Sequence, residues 1–109
     1  MFARTLSISL KPNTLNDFTQ TLDKEIIPML RKQAGFRDEI CLASDNNTHV
    51  TAVSLWDSKQ QAEAYTSSTY PTVLKTLDKF LEGVPKVSVS NVINSTSHKL
   101  TSAAVVAAA

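Results

Sequence analysis

The side chains in this sequence with chemistry beyond packing are Arg4, Cys41, His49, Trp56, Tyr65, Tyr70 and His98. Imidazoles titrate near neutral pH and can move a proton. The phenols and the indole each offer a flat apolar face with one polar atom, and the guanidinium is a fixed cation with its donors in one plane. Their spacing excludes several reactions. A transition-metal site needs convergent ligands, whereas His49 and His98 lie far apart and Cys41 is the only cysteine, so no metal is expected. Gly35 and Gly83 are the only glycines, too few for a phosphate-cradling loop. No nucleophile elbow or paired-carboxylate pattern is present.

Position narrows the roles. Trp56 ends an alternating segment just before a helix cap, where it fits a corner of the core or the wall of a pocket. Tyr65 falls on the inner stripe of a helix, a place for packing with a satisfied hydroxyl. Tyr70 stands beside Pro71 at a helix break, and breaks line openings more often than helix middles do. Arg4 lies on the apolar side of the first strand near its end, where a salt bridge at the rim is its simplest role. His49 follows a turn and His98 lies past the last strand, so both fit an exposed surface as well as a proton-transfer site. Cys41, opposite in facing to Ile40 and Leu42, reads as a small buried apolar residue.

The elements that must hold these residues follow from periodicity. Residues 2–10 alternate, with Leu6, Ile8 and Leu10 on one side and Thr5, Ser7 and Ser9 on the other, which predicts a strand ended by Pro12. Thr14 suits a helix N-cap, and Leu15, Phe18, Leu22, Ile26, Met29 and Leu30 follow at helical spacing. Pro28 should kink that helix or restart it, and Gly35 fits the left-handed residue that ends it. Phe36, Ile40 and Leu42 outline a second strand, Asp45-Asn46-Asn47-Thr48 a turn, and residues 49–56 a third strand. Thr51, Val53 and Leu55 face one way there; Val50, Ala52, Ser54 and Trp56 face the other. Asp57 or Ser58 caps a second helix, broken at 67–71 and resumed by Val73, Leu74, Leu77, Phe80 and Leu81. Residues 86–93 give a fourth strand.

Strand, helix, strand, strand, helix, strand is the ferredoxin-like βαββαβ order, an α+β fold with an antiparallel four-stranded sheet. Two helices cover one sheet face. The other face is expected to carry Thr5, Ser7, Ser9, Ser54, Ser88 and Ser90 beside Val50, Ala52 and Val92. It is too mixed for a core and lacks the charge of an ordinary surface, which predicts a homodimer packed sheet to sheet. Ser and Thr total 24 residues, high for so short a chain, and many fall on this face.

Composition bounds the rest. One domain is expected in 109 residues, with 42% hydrophobic and 19% charged residues and a net charge of +1. That balance excludes a disordered chain and a clustered basic face for nucleic acid. No stretch is long and apolar enough for a membrane span and no apolar signal core opens the chain, so a soluble, cytoplasmic protein is expected. The domain is expected over residues 1–99, with an alanine-rich tail over 100–109.

Arg4 to Pro12, Ile27 to Phe36, and Leu55-Trp56-Asp57-Ser58 followed by Ala62, Ala64 and Tyr65 resemble the antibiotic biosynthesis monooxygenase-like domain. The resemblance spans residues 3–99 and implies a dimeric α+β barrel. Some members oxidise aromatic polyketide rings without metal or flavin, others degrade haem, and fold alone does not decide. The haem-degrading branch is similar at Trp56 but carries an asparagine on the first strand, near Thr5 here, and a histidine on the second helix, near Thr66 here. Haem degradation is therefore not expected. The resemblance implies a cofactor-independent monooxygenase-like protein acting on a small aromatic or quinol-type molecule. Trp56, Tyr65 and Tyr70 would supply rings and hydroxyls, and Arg4, His49 or His98 charge or a proton site. The alternative is a non-catalytic small-molecule-binding or stress-related dimer of the same fold.

Overall fold

The computed structural model describes residues 1–100 and shows the expected element order. Strands β1 (Phe2–Ser9), β2 (Phe36–Ala43), β3 (His49–Trp56) and β4 (Lys86–Asn91) form one antiparallel sheet in the spatial order β2-β3-β1-β4. Helices α1 (Leu15–Thr21), α2 (Ile27–Arg31), α3 (Lys59–Ser68) and α4 (Tyr70–Leu77) pack on one face of it. The core between the layers holds Phe2, Ile8, Phe18, Leu30, Val50, Trp56, Tyr65 and Leu77, among others.

The local chemistry explains the boundaries. Between α1 and α2 the helix widens into a π-turn over Leu22–Ile26, closed by the Ile27 N–H donating to the Leu22 carbonyl. It lies directly before Pro28, whose ring would strike the carbonyl of Lys24 in a regular helix. The sequence thus restarts rather than merely bends. Gly35 has φ +81°, and a Cβ there would collide with the Gln61 side chain, so the turn into β2 needs glycine twice over. Ser58 caps α3, its Oγ accepting from the Gln61 N–H at 3.3 Å. Thr14 does not cap α1; its hydroxyl donates to the Lys11 carbonyl at 2.7 Å.

Register corrects the expected sheet faces. Ser54, Ala52 and Val50 lie opposite Arg4, Leu6 and Ile8, so all six point toward the helices. The uncovered face instead carries Thr5 and Ser7 with Val53 and Thr51 of β3, and Ser88 and Lys86 of β4. β2 contributes Ile40 and Leu42 to it, 55% and 54% exposed. The reason is a bulge: Phe36 pairs with Trp56 and Asp38 with Leu55, leaving Arg37 unpaired. One extra residue inverts the alternation, so Phe36 shares its face with Glu39 and Cys41 rather than with Ile40 and Leu42. Arg37 is held outside by a bidentate ion pair with Asp57.

Beyond β4 the chain crosses the end of the sheet. The Val92 N–H donates to the Met1 carbonyl, and His98 Nε2 reaches Asp38 Oδ2 on the far edge strand at 3.0 Å. The alanine-rich tail lies, from residue 101 on, outside the described residues. No described helix is long and apolar enough to cross a membrane.

Candidate functional site

Between sheet and helices lies a small cavity of about 40 Å³. Leu6 and Ile8 of β1 form its floor; Leu22 and Ile26 of the π-turn, Leu30, Val73 and Leu77 form its roof. The polar groups along this apolar wall are Arg4, Glu39, Cys41, Ser54 and Tyr65. At ~10–15 Å³ per water-sized sphere the space holds roughly three waters. A drug-sized ligand needs several hundred Å³, so a ring enters only when the roof moves.

Arg4 is the centre of the site, and the expected rim salt bridge is absent. The side chain is 3% exposed, and no carboxylate among the described residues pairs with it. Its guanidinium carbon sits 3.9 Å from the Tyr70 ring centre and 5.4 Å from that of Tyr65. Desolvated contacts of this kind stabilise a cation by about 2 kcal/mol. Arg4 Nε donates to Thr66 Oγ1 at 3.0 Å, and the Thr66 hydroxyl donates onward to the Ala62 carbonyl at 2.9 Å. Arg4 Nη2 and Tyr70 Oη are both buried without a hydrogen-bond partner among the described residues.

The aromatic residues form a row. Phe36 meets Trp56 edge-on at 5.5 Å between centroids; Trp56 lies 5.0 Å from Tyr65, and Tyr65 lies 6.2 Å from Tyr70. Trp56 is wholly buried, its Nε1 donating to Ser54 Oγ at 2.9 Å. It backs Tyr65 rather than lining the cavity, as a corner residue does. Burial pushes the Tyr65 hydroxyl up to about 12, a rise that neighbouring Arg4 opposes. Tyr65 therefore stays protonated.

Three further residues escape the sequence pattern. The bulge at Arg37 turns Glu39 and Cys41 toward the cavity, where Cys41 Sγ donates to Glu39 Oε1 at 2.7 Å. Burial, then the Glu39 carboxylate, drives the thiol well above its usual range, so Cys41 is not a nucleophile. Thr66 is the third; the resemblance marked its position, but its role as acceptor for Arg4 Nε emerges only from the fold. The structure brings Arg4, Tyr65 and Tyr70 together, with Trp56 behind them. His98 and His49 stand apart on the uncovered side of the sheet, His98 on Asp38 and His49 on Ser7, with Nε2 and Oγ 3.1 Å apart. No group of three or more His, Cys, Asp or Glu that could hold a metal occurs among the described residues.

A two-layer βαββαβ domain with an apolar cavity between sheet and helices defines the class. The sequence profile of the antibiotic biosynthesis monooxygenase family matches residues 1–76, and the chain belongs to that family. No curated protein matches the chain by sequence. Among solved structures it is similar to the ActVA-Orf6 monooxygenase of Streptomyces coelicolor in complex with nanaomycin D. That pair is 18% identical, with a TM-score of 0.73 over 86% of this chain and 88% of the other. SnoaB, a cofactor-independent oxygenase from Streptomyces nogalater, is 8% identical with a TM-score of 0.73, over 89% and 97% of the two chains. A protein of unknown function from Nitrosomonas europaea matches at 12% identity and a TM-score of 0.72, over 93% and 94%. At these identities the likeness establishes the fold.

Proposed function

We propose that the protein is a cofactor-independent monooxygenase-like enzyme that acts on a small aromatic or quinol-type molecule and works as a homodimer. The observation that carries this reading is the apolar cavity, which in a chain of this family holds one carboxylate, Glu39, among its lining residues and one buried cation, Arg4. Nanaomycin D in the ActVA-Orf6 complex and the cofactor-independent chemistry of SnoaB support it as relatives. In such a reaction an acidic C–H or O–H of the substrate loses its proton, and the electron-rich anion reduces dioxygen. One oxygen atom enters the product as a carbonyl and the other leaves as water. Glu39 is the proton acceptor in this scheme, and the protonated Tyr65 hydroxyl is a donor to the developing oxyanion.

The test is oxygen uptake with anthrone-type phenols and quinols. Uptake that falls by about 100-fold in Glu39→Gln, in line with loss of a general base, supports the assignment; uptake unchanged by that substitution removes Glu39 from it. A non-catalytic binding dimer is the second reading, favoured by the small closed volume of the cavity. Ligand binding without any oxygen consumption would establish it.

A further inference from the structure

The cavity is apolar along its roof and floor, yet its wall carries a charge that no carboxylate among the described residues neutralises. Arg4 is buried with no carboxylate partner, although Glu39 lines the same cavity. A lone buried cation is costly, and folds usually pair it or replace it with an apolar side chain. Here the chain does neither. It clamps the guanidinium from three directions: Tyr70 on one ring face at 3.9 Å, Tyr65 at 5.4 Å, and Thr66 Oγ1 on Nε at 3.0 Å. Because the Thr66 hydroxyl hydrogen already goes to the Ala62 carbonyl, its oxygen is committed as an acceptor, which fixes the guanidinium plane. What the clamp leaves free is a donor, Nη2, which like the Tyr70 hydroxyl has no hydrogen-bond partner among the described residues.

From this we infer that Arg4, held by the Tyr70 ring stacked on it, is the anion-reading group of the cavity, and that its ligand carries one acidic oxygen, a carboxylate or a phenolate, on a flat apolar body. The apolar lining takes the body, and Arg4 Nη2 donates to the anionic oxygen. Thr66 is a positioning residue, acting only through Arg4. The inference rests on the reading that the cavity admits a small aromatic molecule, and it adds the charge that molecule must carry.

Three probes separate the two: benzoate, its neutral isostere benzamide, and acetate, each measured on the full chain by calorimetric titration and by the shift in melting temperature. Benzoate is expected to bind about 10-fold or more tightly than benzamide, the size of one charge-assisted hydrogen bond. Arg4→Met should remove that preference while melting no lower than the parent, because it exchanges an unpaired buried charge for an apolar side chain of similar length. Thr66→Val should weaken benzoate but not benzamide, and Thr66→Ser should restore it, an outcome a purely structural threonine would not give. Equal binding of benzoate and benzamide, or a preference that survives in Arg4→Met, overturns the anion-reading role of Arg4 and leaves the aromatic cavity standing. Acetate binding lost in Arg4→Met, with neither ring compound bound, keeps the anion site and overturns the aromatic reading. No binding by any of the three overturns both.

Discussion

At the scale of single residues, two positions decide whether the site exists at all. Trp56 fills the corner between β3 and α3 and supports Tyr65 from behind, with its N–H satisfied by Ser54. Trp56→Ala should destabilise the domain by about 3–5 kcal/mol, the range for removing a buried large aromatic, read from urea unfolding midpoints. Trp56→Phe should lose less, since it keeps the ring contact and drops the hydrogen bond. Gly35 is constrained by its positive φ and by Gln61 pressed against its α-carbon. Gly35→Ala should cost about 1–3 kcal/mol. Adding Gln61→Ala should recover the steric part and leave the backbone part, a separation a double-mutant cycle measures. The glycine was legible from sequence because a chiral preference is local. Arg4 was not: its burial depends on Tyr65, Thr66 and Tyr70, which only the closed fold brings against the first strand.

At the scale of elements, alternation and helical spacing located every strand and both helical regions within a few residues. They failed where one residue breaks the period. Asp38 interrupts the apparent apolar side of β2, and the register shows why: the bulge at Arg37 inverts the strand, sending Glu39 and Cys41 to the site and Ile40 and Leu42 outward. Nothing in the pattern marks an inserted residue except that interruption. The crossing segment after β4 is a second element beyond periodicity, because its anchor is a distant pair. His98 bonds to Asp38 and holds that carboxylate below its ordinary value of 3.8. A carboxylate with a lowered folded value contributes stability fully above the ordinary value and loses it as pH falls through the lower one. Hydrogen exchange at Ser97 and His98, whose amides donate to Ser95 Oγ, should therefore show protection at neutral pH that disappears in strong acid. In Asp38→Asn that protection should be weak at every pH. The pair is exposed, so the effect belongs to the segment and not to the fold as a whole.

At the scale of the molecule, the uncovered sheet face is where a second copy would pack. It presents Ile40 and Leu42 at more than half exposure, with Val53, Leu55, Thr5 and Ser7 beside them and Lys86 at one edge. Dimer formation at micromolar concentration should give a sedimenting mass of twice 11.9 kDa. Ile40→Lys together with Leu42→Lys should reduce it to one copy without lowering helix content, since neither residue belongs to the core. A stable single copy of the parent protein would remove the dimer from the proposed function. Sequence pointed to this face through its hydroxyls but put Val50, Ala52 and Ser54 on it, because only the β1–β3 register decides which side of the sheet β3 shows, and the bulge decides it for β2.

The strand order has one more consequence, for how the chain is made. β1 is made before the other three strands, yet it sits inside the sheet, paired with β3 through Phe2 and Trp56 and with β4 through Phe2 and Asn91. Of its two neighbours, β3 follows midway through the domain and β4 is the last of the four strands. Until they emerge, the alternating Leu6-Ser7-Ile8 stretch is an unpaired strand with both edges open, the kind of segment that recruits another chain. The hairpin of β2 and β3, joined by a short turn, can form during synthesis, whereas the long-range pairings of β1 wait for the rest. A nascent chain stalled before β4 would therefore leave one edge of its central strand unpaired, and the short length of the domain is what keeps that interval brief.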